Sequence, residues 1–122
     1  MNSKTYNLLK RMQKRPMLWT GQNTLKSIAS FLFGYQIAMK DHNFEDDFGI
    51  SLDFFDWVAD KLGYNYATAG WANMILANIM GFDPQNIEWE NYDISVTNTQ
   101  HSESIVKFYA LIDEYMDELK TK

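Results

Sequence analysis

The sequence predicts a single all-α domain of about five helices packed in one compact bundle. A length of 122 residues fits one domain with one hydrophobic core. Hydrophobic residues make up 46% of the chain, which is enough to fill such a core. Several segments repeat apolar residues at spacings of three and four, the pattern of amphipathic helices. We therefore treat residues 1–122 as one domain.

The first predicted helix covers about residues 3–14, where Leu8, Leu9 and Met12 form a short apolar stripe. Pro16 restricts the residue before it to extended geometry, so the helix should end there. The next seven residues, 15–21, predict an ordered loop. We expect its two large apolar side chains to pack against the rest of the domain: Leu18 and Trp19.

The second predicted helix begins at Asn23 or Thr24, because either side chain can cap a helix. Phe33 and Ile37 widen its apolar surface beyond one stripe, so we expect contacts on more than one side. Gly34 within it costs about 1 kcal/mol relative to alanine. That cost predicts a close approach by another element at this turn.

The third predicted helix, about residues 52–62, has a polar face that is entirely acidic. Asp53, Asp56 and Asp60 lie at i, i+3 and i+7 and therefore share one face. We expect Phe54 and Trp57 to border this face. The opposite stripe, expected to be buried, contains Phe55, Ala59 and Leu62.

The fourth predicted helix, about residues 68–80, is apolar nearly all round and should be central. A long connection follows, and the alternation over residues 94–97 leaves open a minor β-hairpin within residues 82–100. The last helix, about residues 102–119, has apolar residues at helical spacing and should close the core.

Charge is distributed unevenly along the chain, whose net charge is −5. Residues 1–26 contain six basic residues and no acidic one, whereas residues 41–93 contain eleven acidic residues against Lys61 alone. Such an asymmetry can steer a charged partner; the alternative is a merely solvated surface. The candidate partner-binding residues are the acids and tryptophans of the acidic half: Asp46, Asp47, Asp53, Asp56, Trp57, Asp60, Glu88, Trp89 and Glu90.

The sequence lacks the residues that several classes of chemistry require. There is no cysteine, so disulfides, thiolate metal sites and cysteine nucleophiles are excluded. The two histidines have no partner at metal-ligand spacing, and neither a Gly-x-Ser-x-Gly elbow nor a glycine-rich phosphate loop occurs. We therefore expect no catalytic residues, no metal and no cofactor.

Location and partner class follow from the same composition. The first residues carry no apolar signal-peptide region, and the longest nearly apolar stretch, residues 69–80, is too short to span a bilayer. We expect a cytoplasmic protein without a membrane partner. The basic residues are few and the pI is near 4.8, so we do not expect a nucleic-acid binder.

Two short motifs in the N-terminal half carry a resemblance to known proteins. They are Arg15-Pro16-Met17-Leu18-Trp19-Thr20-Gly21 and Phe31-Leu32-Phe33-Gly34-Tyr35, followed by Phe54-Phe55-Asp56-Trp57 and Gly70-Trp71-Ala72. The chain resembles a group of small bacterial helical proteins with an Arg-Pro-x-x-aromatic-x-Gly and Phe-Leu-x-Gly-Tyr pattern. These in turn resemble immunity or accessory proteins of toxin systems. The resemblance covers about residues 15–80, and Met17 departs from it where a glycine is expected.

The resemblance implies a binding protein without catalytic residues of its own. Together with the charge asymmetry, it predicts an immunity-like inhibitor that presents an acidic, aromatic-edged face to a basic protein, such as a toxin. The alternative is a small-molecule-binding or enzymatic domain with a pocket near Trp19, Tyr35 and Trp71. Assembly into a homo-oligomer also remains open.

Overall fold

The computed structural model describes residues 4–42 and 52–121 of the chain. Within those ranges the chain forms six helices and no strand, which confirms the predicted all-α bundle. The helices are α1 (Lys4–Met12), α2 (Pro16–Thr20), α3 (Leu25–Asp41), α4 (Leu52–Leu62), α5 (Trp71–Met80) and α6 (Asn98–Lys120). None of the described helices is both long and apolar enough to cross a membrane.

Helix α5 lies at the centre of the bundle, as its sequence predicts. It packs against α3, α4 and α6. Its buried residues lie around most of the helix: Ala72, Met74, Ile75, Leu76 and Ala77. Gly81 ends the helix in the left-handed conformation, with φ of 87°.

Helix α6 is the longest element and closes the core with Phe108, Ile112 and Met116. It begins at Asn98, four residues before the predicted start, because Thr97 and Gln100 form a reciprocal capping box. The sequence signal for that start, a threonine followed three residues later by glutamine, was therefore present.

The predicted alternative of a β-hairpin within residues 82–100 is wrong. The segment consists of turns and irregular chain before α6 begins. Tyr92 packs with Leu76 and Ala77 of α5 in a small second cluster, whereas Ile94 is 81% exposed. Side-chain packing, not strand pairing, therefore orders the segment.

The predicted loop over residues 15–21 contains a short helix instead. Pro16 occupies the first turn of α2, where its missing N–H costs nothing, and Gly21 caps the helix at φ of 82°. Trp19 packs edge-on against Phe31 of α3, with ring centroids 6.3 Å apart. The prediction that Leu18 packs is wrong, because its side chain is 74% exposed.

Helix α3 begins where the capping prediction places it. The Thr24 hydroxyl accepts a hydrogen bond from the backbone N–H of Ser27 at 3.2 Å. The predicted contacts on a second side are wrong for Phe33 and Ile37, which are 68% and 46% exposed. The predicted close approach at Gly34 is not found within the described residues: apart from the helix's own backbone and the neighbouring residues, none of their atoms lies within 4 Å of where its Cβ would be.

Helix α4 buries only part of its predicted stripe: Ala59 is buried as expected, whereas Phe55 and Leu62 are only partly buried. Phe54 is fully buried instead of bordering the acidic face, and Val58 one turn later is buried with it. The ring of Phe54 contacts those of Phe108 and Tyr115 on α6, at centroid distances of 6.2 and 5.2 Å. The aromatic residues of α6 thus fix the rotation of α4.

Candidate functional site

The acidic row of α4 is presented to solvent as the sequence predicts. Asp53, Asp56 and Asp60 are all exposed. The other side of the helix is held in the core by Phe54 and Val58, both fully buried. The three carboxylates therefore project from a backbone whose rotation is fixed by packing, so they form a preorganised charged surface.

Trp57 lies at the seam between α4 and α6 and is only partly exposed. Its indole N–H donates to Oε2 of Glu118 at 3.1 Å, and its ring lies 5.3 Å from the ring of Tyr115. Nζ of Lys61 lies 5.4 Å from the centroid of the same indole. Trp57 thus joins α4 to α6 through its indole N–H and much of its ring.

Helix α6 adds carboxylates to the α4 row, a feature that the sequence reasoning missed. Nζ of Lys61 donates to Oε1 of Glu114 at 2.5 Å and lies 3.8 Å from Oε2 of Glu118. The Glu114 hydrogen bond is the main cause of a raised pKa at Lys61. Spacing of i, i+4 places Glu114 and Glu118 on one face of α6, but only the packing of α6 shows that this face adjoins α4.

These residues together form one surface, which we call the acidic face. It consists of five carboxylates from two neighbouring helices: Asp53, Asp56, Asp60, Glu114 and Glu118. Helices α4 and α6 are also close at the N-terminal end of α4. There the charge of Asp53 adds to burial in raising the pKa of Tyr115 on α6. Lys61 partly neutralises the α6 side, which leaves the α4 row as its most negative part.

The second predicted segment packs at the C-terminal end of α4. Glu88 and Glu90 are exposed, whereas Trp89 is partly buried and stacks on Tyr64 at 6.1 Å. The side chain of Gln85 donates to the carbonyl of Gly63, which ties the segment to the residue after α4. The candidates Asp46 and Asp47 lie outside the described residues.

On the opposite side of α6, Asp113 is engaged with α1 and does not contribute to the acidic face. The hydroxyl of Tyr6 donates to Oδ1 of Asp113 at 2.7 Å, and Lys10 forms an ion pair with the same carboxylate at 3.2 Å. The hydrogen bond to Asp113, followed by burial, raises the pKa of Tyr6 to about 12. This cluster holds α1 against α6.

A groove of about 440 Å³ between α3 and α5 bears on the small-molecule alternative. Trp71 lines it together with Leu32 and Phe33, and Lys26 and Asn73 are among its polar residues. Trp71 also stacks on Phe108 at 4.7 Å, which gives it a core role. Of the three residues predicted to surround a pocket, Trp71 lines this groove, whereas Trp19 packs on Phe31 and Tyr35 against the core.

Asp93, which is bonded to the groove residue Lys26, does not have the pKa that acid–base catalysis near neutral pH would need. Asp93 accepts a hydrogen bond from Lys26, and this bond is the main cause of a lowered pKa at Asp93. A general acid would need its pKa raised. In addition, no group of three or more histidines, cysteines, aspartates or glutamates in the described part of the chain is arranged to hold a metal ion.

No protein-family model, curated protein or solved structure matches the chain.

Proposed function

We propose that this protein is a binding module whose acidic face docks onto a basic protein partner. One observation carries the proposal: exposed carboxylates of two neighbouring helices converge on one surface, with Lys61 as their neighbouring cation. The uneven charge along the chain supports it, because attraction toward one strongly charged face accelerates encounter with an oppositely charged partner.

The geometry suits arginine and lysine side chains on the partner. Each exposed carboxylate accepts hydrogen bonds, and an arginine can bind one of them through two parallel N–H groups. Because Phe54 and Val58 hold α4 in the core, little backbone ordering accompanies docking. We assign Trp57 a supporting role, since its indole N–H is already bonded to Glu118.

The finer proposal, which rests on the sequence resemblance, is that docking inhibits the partner. An immunity-like protein of this type would cover the active site of a basic toxin and exclude its substrate. No catalytic residue and no cofactor of this chain takes part in that mechanism, which requires only occlusion and affinity.

Matched charge variants test the proposal by affinity capture from a lysate of the source cells. The test variant is Asp56→Asn/Asp60→Asn, which leaves Asp53 in the first turn of α4, where a carboxylate favours the helix dipole. The control removes two exposed carboxylates elsewhere, as Asp41→Asn/Glu103→Gln. A second arm, Glu88→Gln/Glu90→Gln, asks whether the segment after α5 belongs to the same surface.

We expect wild type and the control to retain the same basic protein at low salt and to lose it as salt rises. The Asp56→Asn/Asp60→Asn variant should retain much less of it. Equal retention by all variants would show that the acidic face is not the docking surface.

A second candidate function, small-molecule binding, is favoured by the groove that Trp71 lines between α3 and α5. A ligand there would raise the thermal unfolding midpoint by mass action. Substituting Ala29→Trp, which fills the groove from α3, should abolish that rise while leaving capture of a basic protein unchanged. A ligand screen in which wild type and this variant respond alike would exclude the groove.

A further inference from the structure

Helix α2, which follows α1 after a short turn, exposes three consecutive large apolar residues. Met17 is 58% exposed, Leu18 74% and Trp19 39%. These three residues form most of α2, a helix of only five residues, none of which is buried. A contiguous exposed apolar patch often marks an interaction site.

Three cations lie close to these apolar residues in the sequence. We call the six residues the cationic tip: Arg11, Lys14, Arg15, Met17, Leu18 and Trp19. Arg11, Lys14 and Arg15 are exposed, and within the described residues none of them forms an ion pair with a carboxylate. Lys10, one position before Arg11, differs in being paired with Asp113. The cations at the tip are therefore available to an anionic partner, whereas the one beside them is not.

The tip is rigid in spite of its exposure. Pro16 and Gly21 fix the two ends of α2, and the hydroxyl of Thr20 donates to the carbonyl of Pro16 at 3.2 Å. Trp19 packs on α3 through Phe31, while the guanidinium of Arg11 lies 5.8 Å from the centroid of its indole. The apolar side chains are thus held outward by structure that precedes binding.

We propose that this cationic tip docks on a lipid surface that contains anionic headgroups. Met17 and Leu18 would enter the boundary between headgroups and acyl chains, and Trp19 would lie at the headgroup level that tryptophan favours. Arg11, Lys14 and Arg15 would contact the headgroup phosphates and carboxylates. Each basic residue near such a surface strengthens binding about five-fold, so three of them contribute on the order of 100-fold.

The apolar side chains favour a lipid surface over the other anionic partners. Nucleic acid would engage the cations, but it offers no medium that removes two protruding aliphatic side chains from water. A single strand would instead stack its bases on aromatic rings, and the guanidinium of Arg11 already lies 5.8 Å from the centroid of the Trp19 ring. This proposal departs from the sequence-based expectation of no membrane partner, which rested on the lack of a stretch long enough to span a bilayer; docking along the surface needs no such stretch.

Sedimentation with lipid vesicles tests the proposal. The probes are vesicles of phosphatidylcholine alone and vesicles in which part of it is replaced by phosphatidylserine. Wild type should bind the phosphatidylserine vesicles, bind the neutral ones much more weakly, and dissociate as salt rises. Arg11→Gln/Lys14→Gln/Arg15→Gln should weaken binding on the order of 100-fold.

The aliphatic contribution has its own variant and control. Met17→Ser/Leu18→Ser should weaken vesicle binding by on the order of ten-fold, because less apolar area enters the lipid. Phe33→Ser/Ile37→Ser, which alters exposed apolar residues of α3, should leave vesicle binding unchanged. Circular dichroism of each variant verifies that the helices are intact.

Three results would overturn the proposal. The first is wild type that does not bind phosphatidylserine vesicles, and the second is binding that the tip variants leave unchanged. The third is wild type that ignores vesicles but binds single-stranded RNA or polyglutamate through the three cations, which would reassign the tip to that partner. Because the tip and the acidic face share no residue, none of these three results alters the test of the acidic face.

Discussion

The acidic face and the cationic tip place tryptophan beside charge in opposite ways. At the acidic face, Trp57 is bonded to Glu118, and Lys61 lies over its ring while pairing with Glu114. At the tip, Arg11 lies over Trp19 and forms no ion pair with a carboxylate among the described residues. In the first region the charges and the ring join two helices, whereas in the second the cations Arg11, Lys14 and Arg15 form no ion pair within the described residues.

The difference shows why a tryptophan in a charged stretch of sequence is ambiguous. Trp57 and Trp89 were predicted as partner-binding residues because acids flank them, yet both are partly buried and packed on other rings. Their neighbours Asp56, Asp60, Glu88 and Glu90 are exposed. In this protein the flanking charges, not the tryptophans, provide the accessible surface.

The largest predicted effect breaks the support beneath the acidic face. Phe54→Ala removes a fully buried ring that contacts Trp71, Phe108 and Tyr115, and should lower the free energy of unfolding by about 3–5 kcal/mol. Urea denaturation measures the change. Phe55→Ala is the control, because Phe55 is only partly buried; a loss as large as that of Phe54→Ala would contradict the assigned rotation of α4.

A smaller effect is expected from the bond that joins Trp57 to α6. Trp57→Phe keeps an aromatic ring but removes the N–H that donates to Glu118, and should cost about 1 kcal/mol. Glu118→Gln keeps an acceptor oxygen and should cost less. Trp57→Phe and Glu118→Ala remove the donor and the acceptor of one hydrogen bond, so their double-mutant cycle should be non-additive. Simple additivity in that cycle would show that the bond contributes nothing to stability.

The last predicted effect concerns the bond that joins α1 to α6, and it becomes smaller as the pH rises. The folded pKa of Tyr6, about 12, exceeds its ordinary value of 10.0, so the folded protein holds this proton more tightly than the unfolded chain. The resulting stability is complete below pH 10 and is lost as the pH rises through 12. Tyr6→Phe should cost about 1 kcal/mol at neutral pH, and its difference from wild type should shrink over that window.

Urea denaturation at several pH values measures this narrowing. Tyr66→Phe is the control, because Tyr66 is 73% exposed and should give no comparable difference. A constant gap between wild type and Tyr6→Phe from neutral to alkaline pH would mean that the bond to Asp113 does not hold the Tyr6 proton.

Local signals predicted much of the fold, and tertiary packing determined the rest. The cap at Thr24 and the central place of α5 followed from the side chains themselves. The rotation of α4 followed only in part: Ala59 is buried as predicted, but the rings of α6 bury Phe54 in place of Phe55. Helix α2 has five residues, too few for periodicity to reveal.

Only half of the acidic face was predicted, because tertiary packing determines the other half. The row Asp53, Asp56 and Asp60 is visible from spacing alone within one helix. Its extension by Glu114 and Glu118 joins residues more than fifty positions apart, and it depends on how α6 lies against α4. Sequence spacing carries no record of that arrangement.

The most direct test of the central claim is the association rate of the captured partner with wild type and with Asp56→Asn/Asp60→Asn, measured over a range of salt concentrations. We expect the variant to associate more slowly at low salt and the two rates to converge as salt screens the charges. The Asp41→Asn/Glu103→Gln control should behave as wild type does. If test variant and control slow association equally, net charge alone attracts the partner, and the acidic face is not its docking surface.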